Sequence, residues 1–299
     1  MAEDFRTGFV AVVGRPNVGK STLVNALVGR KISIVTPRAQ TTRHAILGVL
    51  TRPDAQLLFV DTPGVHTRQS NLLNRAMNRA ADSAIVGADL VLFVVEAGVW
   101  RSADDYVLEH VRNAGIPTLL VVNKIDSVRP KSALLPYLQK CAGKGEFGGI
   151  IPVSAARIDN LDRLIDLVVT LLPVGPPLYP LDASTNRSME FRIAEMVREK
   201  LLLALRQEVP YGLAVEVLML EQKPGVVLAD VAIWADRDSH KGMVVGKGGA
   251  MIKEVGTAAR LELESIFGDK FYLETHVKVK SNWADSARAL QQFGFESES

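Results

Sequence analysis

Residues 14–21 read GRPNVGKS, and residues 123–126 read NKID. The first string fits G-x-x-x-x-G-K-[ST], a loop whose glycines let backbone N–H groups turn inward on a polyphosphate. The second has a separate chemical task. A carboxylate at Asp126 accepts from both N1–H and the exocyclic amine of guanine, donors that adenine does not offer. A site built around such a carboxylate rejects a base without them by about 10⁴-fold. Together the strings imply a guanine nucleoside triphosphate, GTP or its product GDP.

Working outward, short apolar runs alternate with helical segments: GFVAVVG (8–14), HAILGVL (44–50), QLLFVD (56–61), DLVLFVVE (89–96), TLLVVNK (118–124) and GIIPVS (149–154). Strands this apolar need helices on both faces, which predicts a doubly wound α/β domain with a mostly parallel, six-stranded sheet. Only TRPDA separates the second and third runs, so those two should pair as an antiparallel hairpin. Segment 172–188, LPVGPPLYPLDASTNRS, carries four prolines and reads as a linker. The expected division is a nucleotide-binding domain at 1–174, a linker at 175–189 and a second domain at 190–299. The second domain reads helix, two strands, helix, strand, helix, a small α+β unit.

Composition narrows the class. Of 299 residues, 47% are hydrophobic and 23% charged, an ordinary globular balance, and the net charge of +2 gives no global polyanion-binding signature. The single cysteine, Cys141, excludes an internal disulfide framework and fits a reducing cytoplasm. The start, MAEDF, shows no secretory pattern. The longest apolar stretch, 84–100, is interrupted by Asp89 and Glu96 and reads as a strand, not a membrane span.

Around the phosphate loop each residue type has an expected role. Gly14, Asn17, Val18, Gly19, Lys20, Ser21 and Thr22 form the cradle; Lys20 is the point charge on the β- and γ-phosphates, and Ser21 offers its hydroxyl to Mg²⁺. Strand QLLFVD ends in Asp61, which suits Mg²⁺, and Gly64 can present its N–H to the γ-phosphate. In QTTRH (40–44) one threonine should complete the Mg²⁺ sphere, with Thr42 favoured over Thr41. The metal set is therefore Ser21, Thr42 and Asp61, and the groups expected to act in hydrolysis are Lys20, Thr42, Asp61 and Gly64. Asn123 can bond the guanine edge and tie neighbouring loops together, Lys124 covers the base face and Asp126 reads it, joined by Ser154 and Ala155 from VSA (153–155), where the Ala155 N–H can meet guanine O6.

In the second domain, residues 239–253 read SHKGMVVGKGGAMIK. Gly246-Lys247-Gly248-Gly249 is a G-x-x-G tetrapeptide opening a helix, where bare backbone can approach a sugar-phosphate chain closely. Lys241, Lys247 and Lys253 supply charge. Val244, Val245, Ala250 and Ile252 either line a groove for unstacked bases or pack in the core. Residues 190–299 hold 14 basic against 17 acidic residues, a net −3 that favours a focused groove over a general polyanion surface. Lys278 and Lys280 either extend its basic lip or are a solvated strand edge.

The five nucleotide motifs, in their order and spacing, resemble a translation-factor-type GTPase domain, and QTTRH with DTPGVH narrows this to the Era-like GTPases. The α-β-β-α-β order with VVGKGG resembles the KH domain that ends them. The resemblance spans essentially the whole chain. It implies hydrolysis of GTP to GDP with Mg²⁺, binding to the 3′ end of 16S ribosomal RNA, and a monomer that assists 30S subunit maturation in the cytoplasm. Two departures matter. Val65 stands where many relatives carry a water-orienting glutamine, so intrinsic turnover should be slow, with His66 a weak candidate base. Ala156 stands where relatives often have a lysine. The alternatives are a GTPase of tRNA modification or of a tandem-domain ribosome factor, an RNA-binding protein with a merely structural nucleotide site, and a cell-cycle GTPase peripheral to the inner membrane.

Overall fold

The computed structural model of the chain describes residues 4–64, 71–205 and 209–295. It divides into two compact units, Met1–Gln69 with Met77–Asn186, and Ser70–Ala76 with Arg187–Ser299.

The first unit runs β1 (Arg6–Val13), α1 (Lys20–Val28), β2 (Ile46–Thr51), β3 (Ala55–Asp61), α2 (Leu72–Val86), β4 (Leu90–Glu96), α3 (Ser102–Ala114), β5 (Thr118–Asn123), α4 (Leu134–Ala142), β6 (Gly149–Pro152) and α5 (Leu161–Leu171). The sheet order is β2-β3-β1-β4-β5-β6, with β2 antiparallel to β3 and every other pair parallel. Alternate residues of each strand feed opposite cores. Val10, Val12 and Leu92 pack under α1 and α5, while Ala11, Val13 and Phe93 pack under α2, α3 and α4. β1 lies between β3 and β4, so the chain reverses direction across the sheet there, and a crevice opens beyond the carboxyl ends of those strands. The phosphate loop sits at that crevice.

Proline-rich composition suggests a linker, and its residues 178–185 are fastened to the first unit at several points. Val49 N–H donates to Ser184 O at 2.9 Å, and the Thr185 hydroxyl donates to Leu47 O at 2.6 Å, covering the exposed edge of β2. Gln56, fully buried on β3, accepts from the N–H groups of Leu178 and Tyr179 and donates to Tyr179 O, all at 2.8–2.9 Å. Gln56→Ala leaves these backbone groups without partners. It should lower unfolding stability by about 2 kcal/mol, read as a shifted urea midpoint at unchanged slope.

The second unit runs α6 (Met189–Ala204), β7 (Leu213–Lys223), β8 (Val226–Ala235), α7 (Asp238–Val245), α8 (Ala250–Phe267), β9 (Lys270–Val279) and α9 (Ala287–Gln292). Its sheet is β7-β8-β9, antiparallel then parallel. Ser188 caps α6, its hydroxyl accepting the Phe191 N–H. Val231 and Ile233 on one face of β8 pack against Val197 of α6 and Val255 and Ala259 of α8. Helix α7 is an addition to the sequence reading. Gly242 in its middle and two β-branched residues at its end weaken its local signal. Among the described residues no helix is long and apolar enough to cross a membrane.

Candidate functional site

The turn from β1 into α1 requires glycine at two places. A Cβ on Gly14 would lie 2.4 Å from the Val94 carbonyl oxygen, and one on Gly19 would lie 2.4 Å from Asn123 Nδ2, with φ +96° there. Such a turn directs N–H groups to one side and opens α1 on the crevice, an anion-binding arrangement. Lys20 lies over the loop, its Nζ donating to Gly14 O at 3.0 Å and Arg15 O at 3.2 Å. Burial lowers its pKa to about 8, with the Asp61 charge opposing and Arg15 adding to the fall.

That shift has a measurable consequence. Below pH about 8 Lys20 is already charged, so triphosphate affinity should be flat there. Above it, binding must take up a proton, and affinity should drop roughly tenfold per pH unit. Between about 8 and the ordinary 10.5 the unfolded chain holds a proton that the nucleotide-free fold does not, so the stability of that fold should rise with pH across this window. Calorimetric titrations in buffers of different ionisation enthalpy would count the proton.

Three oxygen donors converge beside Lys20. Ser21 Oγ and Thr42 Oγ1 are 2.8 Å apart, and Thr42 Oγ1 donates to Asp61 Oδ2 at 3.4 Å. Asp61 is fully buried; burial raises its pKa, against the Lys20 charge and the neighbouring hydroxyls. Among the described residues its Oδ1 has no hydrogen-bond partner. A hard, oxygen-seeking cation such as Mg²⁺ fits two hydroxyls and a buried carboxylate with an unspent oxygen. Thr41 is turned elsewhere, its Oγ1 2.6 Å from Thr36 Oγ1 and donating to Arg38 O at 2.8 Å. Thr62 is tied to Val12 O at 2.8 Å, and Gly64 lies so close to the phosphate loop that a Cβ would meet Pro16 at 2.7 Å. Val65 and His66 lie outside the described residues.

At the base end, Ser154 Oγ donates to Asp126 Oδ1 at 2.6 Å. This bond, more than the nearby Arg157 and Lys131, holds the Asp126 carboxyl below its usual range. Lys124 Nζ donates to Asn17 O at 2.6 Å, which lays its stem along the crevice. Asn123 ties neighbouring loops together: its Nδ2 donates to Val18 O at 2.9 Å and its Oδ1 accepts the Ala155 N–H at 3.0 Å. Sequence reasoning missed Arg15, Glu96 and Asp104, which form an ion cluster behind the loop.

In the second unit, the tetrapeptide 246–249 joins α7 to α8. Gly246, Gly248 and Gly249 all have positive φ, at 72°, 59° and 79°. A Cβ on Gly246 would strike Met251 at 2.7 Å, whereas Gly248 and Gly249 face open space. Lys241, Lys247 and Lys253 are exposed around this turn. Val244 belongs to the core, while Val245 and Ile252 are half-buried and Ala250 is exposed. Lys278 and Lys280 lie over the Trp234 ring at 5.5 and 5.6 Å. Trp234 alternates with Ile233 and so faces away from α6 and α8, toward Phe293 at the end of α9; these lysines occupy that opposite face and do not extend the lip of the turn.

Comparison with known proteins agrees with this geometry. Residues 9–124 match the 50S ribosome-binding GTPase family and residues 208–284 the KH domain family. The chain is 47% identical over 289 residues to GTPase Era of Stenotrophomonas maltophilia (strain K279a), covering 97% of both chains. It is 44% identical over 291 residues to GTPase Era of Xanthomonas axonopodis pv. citri, again covering 97% of both. Two crystal structures superpose with TM-scores of 0.94, each covering 97% of this chain and 99% of the other. One is a variant of Aquifex aeolicus Era bound to GDP·AlF₄⁻, at 37% identity; the other is Era with MgGDPNP and nucleotides 1506–1542 of 16S ribosomal RNA, at 38% identity. With both halves matched in order and nearly the full length covered, this chain belongs to the Era family of GTPases.

Proposed function

We propose that the chain is a GTP-hydrolysing switch that holds the 3′ region of 16S ribosomal RNA on its second unit and assists maturation of the 30S subunit in the cytoplasm. The observation that carries the switch is the convergence of Ser21, Thr42 and Asp61, with Asp61 Oδ1 left unpartnered. Lys20 and the loop N–H groups would take the phosphates. Ser21, Thr42 and Asp61 would hold Mg²⁺, which neutralises charge on the β- and γ-oxygens when bound. Thr42 precedes β2, and Gly64 follows β3 and abuts Pro16, so both ends of the hairpin register the γ-phosphate. Asp126, oriented by Ser154, reads the base, and the Lys124 stem covers it. Val65 cannot orient water, so basal turnover is slow.

The RNA reading is supported by the open GKGG turn with its three exposed lysines, and by the RNA-bound relative. On this reading the boundaries are a G domain at 1–174, a linker at 175–189 and an RNA-binding domain at 190–299, acting as a monomer. The test is titration of a labelled 3′-terminal 16S RNA fragment in the presence of GDP and of a nonhydrolysable GTP analogue. Binding in at least one state is expected. Any ratio between the states must reappear as the same ratio in nucleotide affinity when RNA is varied. No binding in either state would refute the RNA reading.

A further inference from the structure

We infer that Glu96 is a positioning residue for the nucleotide, one carboxylate that ties the phosphate loop at Arg15 to the base-reading loop at Lys124; the inference rests on the nucleotide-site reading above. The loop 14–19 is conformationally soft, with positive φ at Gly14, Asn17 and Gly19. Besides the bonds of Lys20 to Gly14 O and Arg15 O and of Asn17 to Pro37 O, three side-chain ties hold it. Asn123 holds the Val18 carbonyl, Lys124 holds the Asn17 carbonyl, and Arg15 anchors itself by turning its side chain away from the phosphates into the protein. Two of those three anchors depend on Glu96. Its Oε2 takes Arg15 Nη2 at 2.7 Å, and its Oε1 takes Lys124 Nζ at 3.3 Å.

Glu96 is well placed to be a fixed post. It is the last residue of β4, in register with Asn123 of β5, and its carbonyl accepts from Tyr137 OH at 2.9 Å and Val99 N–H at 3.1 Å. Behind it, Asp104 takes Arg15 Nε at 3.2 Å while accepting the Arg101 N–H at 2.8 Å, so the second anchor of the guanidinium is itself fixed to the start of α3. Burial pushes the Glu96 carboxyl up, but the Arg15 bond and the Lys124 charge outweigh it and hold the group below its usual range. It is ionised at any working pH.

The competing explanation is that Glu96 only neutralises a buried arginine. Sign separates the two. Glu96 is a negative charge beside a polyphosphate site, so by Coulomb interaction alone its removal strengthens nucleotide binding. If it holds the loop and the base-reading lysine in mutual register, its removal weakens binding despite that gain. Neither contact involves the γ-phosphate, so the di- and triphosphate should lose equally, a uniform binding effect.

The experiment measures release of mant-GDP and of a nonhydrolysable mant-GTP analogue by stopped flow from the full chain, with melting of the nucleotide-free protein alongside. Glu96→Gln should release both nucleotides about tenfold faster, the loss of a charge-assisted tie. Glu96→Asp, which keeps the charge one methylene shorter, should recover most of the loss. If Glu96→Gln does not fold, Arg15→Lys carries the test, since a shorter, compact ammonium cannot reproduce the guanidinium fork that spans Glu96 and Asp104; it should also speed both releases. Unchanged or slower release, or an effect on only one nucleotide, would overturn the inference. Failure of the unmodified protein to bind either probe would instead sink the nucleotide-site reading, and the inference with it.

Discussion

Asp126→Asn should weaken GTP binding about 10³-fold and make xanthosine triphosphate the preferred ligand, because buried donors and acceptors discriminate most when a mismatch leaves them unpaired. The substitution is isosteric. Ser154 Oγ, 2.6 Å from Oδ1, can still donate to the amide carbonyl, which fixes which end of the amide points where. The NH₂ group then stands where Oδ2 stood, opposite a carbonyl in xanthine and an amine in guanine. Competition of each triphosphate against a fluorescent nucleotide measures the exchange. Equal loss for both would show that Asp126 does not read the base. Ser154→Ala in the same background should blur the preference, since nothing then fixes the amide.

How much of this site was legible depended on whether the backbone or the side chains carry it. The phosphate loop is written in glycines that nothing else can replace, since Gly14 and Gly19 have neighbours at 2.4 Å from any Cβ. The six strands of a mostly parallel sheet followed from apolar runs long enough to be buried on both faces. Two features stayed hidden for a common reason: their partners are distant in sequence. Arg15 reads as a variable position of its motif until Glu96 and Asp104 stand beside it. Gln56 reads as the polar start of a strand, yet both ends of its amide are bonded to residues 178 and 179. Helix α7 was hidden locally instead, by Gly242 and weak periodicity.

Gly248→Asp should cut affinity for single-stranded RNA by about 100-fold, through loss of close backbone approach and repulsion from phosphate. The variant separates folding from binding unusually well. Gly248 has φ 59° and ψ 24°, a left-handed conformation that aspartate tolerates better than most residues, and nothing lies within 4 Å of its added Cβ. The left-handed φ still strains an aspartate, so the melting temperature should fall, but by only a few degrees. Gly246→Asp makes the contrasting control, because its Cβ would meet Met251 at 2.7 Å and the α7–α8 junction must shift. Basal GTP hydrolysis should be unchanged in Gly248→Asp, since this residue belongs to the other compact unit from the phosphate loop. Any stimulation of hydrolysis by RNA should disappear with the RNA affinity. If the folded variant still binds RNA as the unmodified protein does, the turn is not the RNA contact, and the three exposed lysines around it lose their proposed role.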